Sequence, residues 1–238
     1  MIPVVFAYLV LGHALGDAAV RRFPLPQPRP SLLRMLVHAL ALLPVWVATP
    51  SGDRAAPLLL MVLALGGTHW LCDIGAAWLE KHCSALAALL TEQAARFAML
   101  FCAAWLASGE VRPGGTGAAR FAVIAAAYLL VTSTGSEVVK RLLARHAMPA
   151  AEPDAAPPGP TARMGHTIGV LERALGLTFI LIDAWTGLAG IVAAKSIARF
   201  KDLEQRAFAE YFLVGTLASL LVTTAVGAAA SWLLDTLP

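Results

Sequence analysis

The sequence predicts an all-α protein, a polytopic transmembrane bundle of about seven helical spans. Composition, hydropathy and run length carry that reading. The 238 residues are 58% hydrophobic and only 14% charged, against about a quarter charged in soluble domains. Mean hydropathy is +0.71. The apolar stretches reach the roughly 20 residues needed to cross a hydrocarbon core of about 30 Å, and they are continuous where a barrel strand would be short and alternating.

Runs bounded by Pro, Gly and charge place spans near residues 2–20, 31–49, 56–78, 85–107, 118–139, 165–184 and 209–235. The first begins at Met1 with no basic segment ahead of it. It carries His13 and Asp17 and lacks a small-x-small cleavage site, so it reads as a span and not as a signal peptide. The connector RRFPLPQPRP at 21–30 cannot be helical, because its prolines fix φ and remove backbone donors. The Ala/Pro-rich stretch 147–163 has almost nothing to bury and reads as a flexible linker. It divides a five-span core, residues 1–146, from a C-terminal membrane segment, 164–238.

Loop charges set an orientation. Arg21, Arg22, Arg29 and Arg34 flank the first connector, Lys81 the third, and Lys140, Arg141, Arg145 and Arg163 the linker. The even connectors are poorer in Lys and Arg, so the positive-inside rule puts the N-terminus outside. Lys195, Arg199, Lys201 and Arg206 then fall on the wrong face. A full span followed by a re-entrant half-helix near 185–200, broken by Asp183, Thr186, Gly187 and Gly190, returns them to the cytoplasm; the alternative is that the rule fails here.

Polar groups inside the spans point to function, because each costs a few kcal/mol at mid-bilayer. LGHALGDAAV carries His13 and Asp17, and GGTHWLCDIG repeats the spacing with His69 and Asp73. Four residues is about one helical turn, so each pair shares a face. Spans one and three run in the same direction, so both pairs fall at one depth, and His38, Glu92 and Gln93 enter at that level from spans two and four.

Two imidazoles and two carboxylates make a ligand set for a divalent metal, zinc or manganese, with room for a water whose pKa the metal lowers. The expected metal ligands are His13, Asp17, His69 and Asp73, with Glu92 as general base and His38 and Gln93 as accessories. That arrangement suits hydrolysis of a lipid or lipid-linked substrate. Two other readings use the same groups: a proton- or ion-coupled transporter or channel, and a scaffold whose His/Asp pairs only satisfy one another.

The remaining charges and polar residues are less telling. Glu92 with Arg96, Asp17 with Arg21, and Glu137 with Arg141 have the i,i+4 spacing of self-neutralising pairs. Lys195, Arg199 and Lys201 in AAKSIARFK form a basic face suited to anionic lipid headgroups. Cys72, Cys83 and Cys102 lie in or beside apolar runs at spacings that fit neither a disulfide framework nor a zinc knuckle. A net charge of +3 is too small for nucleic-acid binding, leaving membrane lipids, and a second copy of the chain, as partners. Trp46, Trp105 and Trp232 stand near span ends, as interfacial belts require.

HALGD, the lone His38, THWLCD and the Glu92-Gln93 step, followed by IGVLERALGL, AAKSIARF and AEYFLVGTLAS, resemble a bacterial integral membrane family catalogued as domain of unknown function 3307, over most of the chain. The resemblance implies a multi-pass protein of the bacterial inner membrane, with the His and Asp positions as its suspected site and no settled activity. The chain departs from that pattern with Arg21 where Gln is usual, Ala76 where Lys is usual and Arg96 where His is usual. A cation at Arg96 would repel a metal and favours a salt-bridged core.

Overall fold

The computed structural model describes residues 2–22, 36–38, 40, 55–107, 116–144 and 160–238. Among these the chain is helical throughout, with short turns and no strand. The helices are α1 (Ile2–Arg22), α2 (Ala55–His82), α3 (Ala85–Ala107), α4 (Thr116–Leu129), α5 (Gly135–Ala144), α6 (Pro160–Leu181), α7 (Thr186–Ala198) and α8 (Arg206–Thr236). A π-helical turn, Leu130–Thr134, joins α4 to α5, so that Thr116–Ala144 runs as one 29-residue helix.

Four helices among the described residues are long and apolar enough to cross a membrane: Ile2–Arg22, Ala85–Leu106, Thr116–Ala144 and Arg206–Thr236. Seven were expected. The second expected span, 31–49, and the linker 147–163 up to Pro160 lie almost wholly outside the described residues. The sixth opens earlier than expected, at Pro160, where the fixed φ of proline suits a first helical turn.

The chain divides into two compact units, Met1–Leu129 with Trp232–Pro238, and Leu130–Ser231. In the first, α1 packs on α3 and α4, and α2 packs on α3. Ala7, Ala119, Ala122 and Ala126 are buried here, and such small side chains let helix backbones approach. Polarity is distributed inside out. His13, Asp17, His69, Asp73, Glu92 and Arg96 are buried, whereas Leu71, Trp78, Phe101, Trp105, Phe121, Leu221 and Trp232 are exposed. Water would reverse that arrangement, and lipid accounts for it. The protein is therefore read as a membrane protein.

In the second unit α6 and α7 form an antiparallel helical hairpin. Asp183 sits at φ 58°. Around it Ala184 N–H donates to the Phe179 carbonyl at 2.7 Å and Asp183 N–H to Ile180 at 3.1 Å, the bond pattern of a left-handed helix cap. Beyond the turn, a Cβ at Gly187 would lie 2.6 Å from the Phe179 ring, so only glycine lets α7 fold back here. Glu172 and Lys195, 23 residues apart, meet across the hairpin at 2.7 Å. At 13 residues α7 is about 20 Å long, too short to cross a bilayer core of about 30 Å.

The left-handed cap gives a stability prediction. Asp183→Val lowers unfolding stability in detergent by about 1–2 kcal/mol, the cost of a branched Cβ in that conformation, whereas Asp183→Gly loses far less. Thermal unfolding of the two variants checks the order.

Candidate functional site

The polar residues of the first unit converge on one buried cluster. Its centre is Arg96 on α3, whose side chain is 5% exposed. Arg96 Nη1 donates to Asp17 Oδ1 on α1 at 3.0 Å, and Nη2 donates to Asp73 Oδ1 on α2 at 2.7 Å. Nη2 is also paired with Glu92, one turn back on α3. Asp17 is approached in addition by Arg21 at 3.7 Å. One guanidinium thus ties together carboxylates from three helices.

Asp17 organises the rest. His38 Nε2 donates to Asp17 Oδ1 at 3.2 Å, and Gln93 Nε2 donates to Asp17 Oδ2 at 3.1 Å. The Gln93 carbonyl oxygen in turn accepts from His13 Nε2 at 3.3 Å. Both bonds place a proton on Nε2, of His13 and of His38. The ring of His69 completes the group, its centroid 4.4 Å from that of His38 and 5.1 Å from that of His13. Phe97 closes on His13 edge to face at 5.6 Å.

His13, His38 and His69 each offer a ligand atom, and these atoms lie within 4.8 Å of one another. All three rings are buried. The Nδ1 atoms of His13 and His69 have no hydrogen-bond partner; such orphaned buried nitrogens cost free energy and call for an explanation. Three imidazoles fit a zinc-type site with one open position, and Asp17 behind His38 matches the carboxylate that commonly orients a metal-binding histidine. Ligand nitrogens around one ion stand about 3.3 Å apart, given metal–nitrogen bonds of about 2.0–2.1 Å in a tetrahedron, so a set spread over 4.8 Å has to contract to hold one. Three carboxylates face the guanidiniums of Arg96 and Arg21, which leaves one formal negative charge beside the imidazoles.

The grouping differs from the one expected. His13 and His69 stand together, but Asp17 and Asp73 are committed to Arg96, and His38, expected as an accessory, takes their place among the metal-capable groups. Glu92, expected as general base, is likewise held by Arg96. The sequence marks Arg96 as favouring a salt-bridged core, but pairs it only with Glu92; its bonds to Asp17 and Asp73 on other helices have no local spacing to signal them. All three i,i+4 pairs do form, Arg141 with Glu137 at 2.8 Å among them.

In the second unit two residues of the basic stretch have acidic partners. Lys195 bonds Glu172 and lies 5.4 Å from the Phe212 ring centroid, while Arg199 pairs with Asp202 at 3.2 Å. Lys201 is exposed. No protein-family model, no curated protein and no solved structure matches the chain.

Removing the hub leaves three buried carboxylates with little compensation, so Arg96→Gln lowers stability by about 3–5 kcal/mol, read as a large fall in the thermal midpoint of purified protein. A second prediction concerns Gly16, where a Cβ would lie 2.7 Å from Cδ2 of His38. Gly16→Ala displaces that ring with little loss of the Arg96 ion pairs. It therefore lowers any metal affinity at least tenfold, the usual scale for a misplaced ligand shell, while the protein stays folded.

Proposed function

We propose that the first unit is an intramembrane metal site in which His13, His38 and His69 hold a divalent cation, zinc or manganese, within a multi-pass protein of the bacterial inner membrane. The observation that carries the reading is the meeting of three buried imidazoles, two with unpartnered Nδ1 atoms, beside an excess of carboxylate. A bound metal lowers the pKa of its water and supplies hydroxide near neutral pH. Hydrolysis of a lipid or lipid-linked substrate is the activity we assign to it, and water activation falls to the metal because Glu92 is committed to Arg96. In this reading the bundle has about seven spans, α7 is the re-entrant segment, and a second copy of the chain is an admissible partner.

One observation favours a second reading. Arg96 alone cross-links three helices, which is what a structural core needs, and the His/Asp groups would then serve a scaffold or an ion-coupled transporter.

Elemental analysis of detergent-purified protein beside a His13→Ala, His69→Ala double variant separates the two. Stoichiometric metal in the parent, lost from a variant whose thermal midpoint is little changed, is the expected result and makes esterase and phosphatase assays on lipid substrates worthwhile. A parent free of metal, even after incubation with zinc and manganese, together with a strongly destabilised variant, would overturn the metal reading in favour of the structural one.

A further inference from the structure

An imidazole can ligate a metal through either ring nitrogen, and the bond made by the other nitrogen decides which one is used. At His13 that other bond goes to Gln93, and its direction follows from Asp17. The Asp17 carboxylate is engaged by Arg96 at 3.0 Å and by Arg21 at 3.7 Å. A carboxylate held by guanidinium groups accepts hydrogen bonds and donates none. The end of the Gln93 amide that faces it at 3.1 Å is therefore the NH2 group. An amide turned that way presents its carbonyl oxygen to His13 Nε2, 3.3 Å away. That oxygen can only accept, so Nε2 carries a proton. While it does, Nδ1 is the one nitrogen of His13 that can take a metal ion.

The surroundings of His13 fit this assignment. Its Nδ1 is buried without a hydrogen-bond partner, so no bond has to break for an ion to reach it. His13 is 1% exposed and Gln93 7%, which shields the bond between them from competing water. Gln93, Arg96 and Phe97 belong to the same helix, α3. Gln93 and Arg96 grip the two oxygens of Asp17, Oδ2 and Oδ1, while Phe97 meets the His13 ring edge to face at 5.6 Å. One carboxylate thus orients two rings: His38 directly at 3.2 Å, and His13 through a neutral amide.

We propose that Gln93 is a positioning residue of the metal site, which extends the hold of Asp17 to His13, keeps a proton on His13 Nε2 and so presents Nδ1 to the cation. The proposal rests on the metal reading above and adds to it the ligand atom and the residue that selects it.

NMR of full-length protein in detergent, with isotope-labelled histidine nitrogens, tests this before and after loading with one equivalent of a spin-active cadmium isotope as the probe. His13 is assigned by the signals that vanish in His13→Ala. Cadmium is expected to couple to Nδ1 of His13, with the proton retained on Nε2. Gln93→Met keeps the length of the side chain and loses both of its bonds. It is expected to weaken cadmium binding about tenfold or more, the usual effect of losing a partner that orients a ligand, and to abolish the slowly exchanging Nε2–H signal of His13 in the metal-free protein. Cadmium coupled to Nε2 of His13 or to other histidines only, or an affinity and an Nε2–H signal that Gln93→Met leaves unchanged, would overturn the proposal while the metal site stands. Cadmium coupled to no histidine would overturn the metal reading and this inference together. The ligand atom is read in the parent protein, so the result holds even where Gln93→Met does not fold.

Discussion

Buried charge in a low-dielectric interior has to be matched, and in the first unit the matching is done around Arg96. Its two terminal nitrogens reach Asp17 on α1, Asp73 on α2 and Glu92 on α3. None of these groups would be tolerable alone, since an unpaired ion in such surroundings costs several kcal/mol. Once Asp17 is fixed, His38 and Gln93 are fixed by it, and His13 by Gln93. The positions of His38 and His13 therefore follow from an ion pair that contains no imidazole, and His69 stacks against both rings.

The second unit solves a similar problem differently. Arg173 is hydrogen-bonded by a carbonyl and two hydroxyls instead of carboxylates. The hairpin that brings α7 against α6 depends on the left-handed Asp183 and on the bare backbone of Gly187. That same hairpin turns Lys195 inward onto Glu172. Packing in one unit thus leaves one formal negative charge beside imidazoles, and in the other it sets a guanidinium beside hydroxyls.

Much of this was legible in the sequence for a simple reason: lipid imposes length and apolarity on each helix, and both can be counted. The four helices long enough to span, the break at Asp183 and the i,i+4 ion pairs follow from local spacing. So does the convergence of His13, His69, His38 and Glu92 at one level, because antiparallel spans of equal length bring equal depths together. Spacing says nothing about which group across the gap is the partner. Asp17 shares a helix face with His13, yet its imidazole partner is His38. Arg96 seemed matched by Glu92, yet it also holds Asp17 and Asp73. Arg173 gave no signal beside Glu172, because its partners Val131, Ser136 and Ser219 are neutral and distant in sequence.

The account rests most directly on three imidazoles sharing one ion. X-ray absorption at the zinc edge, on detergent-purified full-length protein loaded with one equivalent of zinc, reads that coordination without reference to any activity. The prediction is three nitrogen ligands at about 2.0–2.1 Å with imidazole outer-shell scattering, diminished in His38→Ala. Zinc surrounded by solvent oxygens alone, or a spectrum that His38→Ala leaves unchanged, would contradict it.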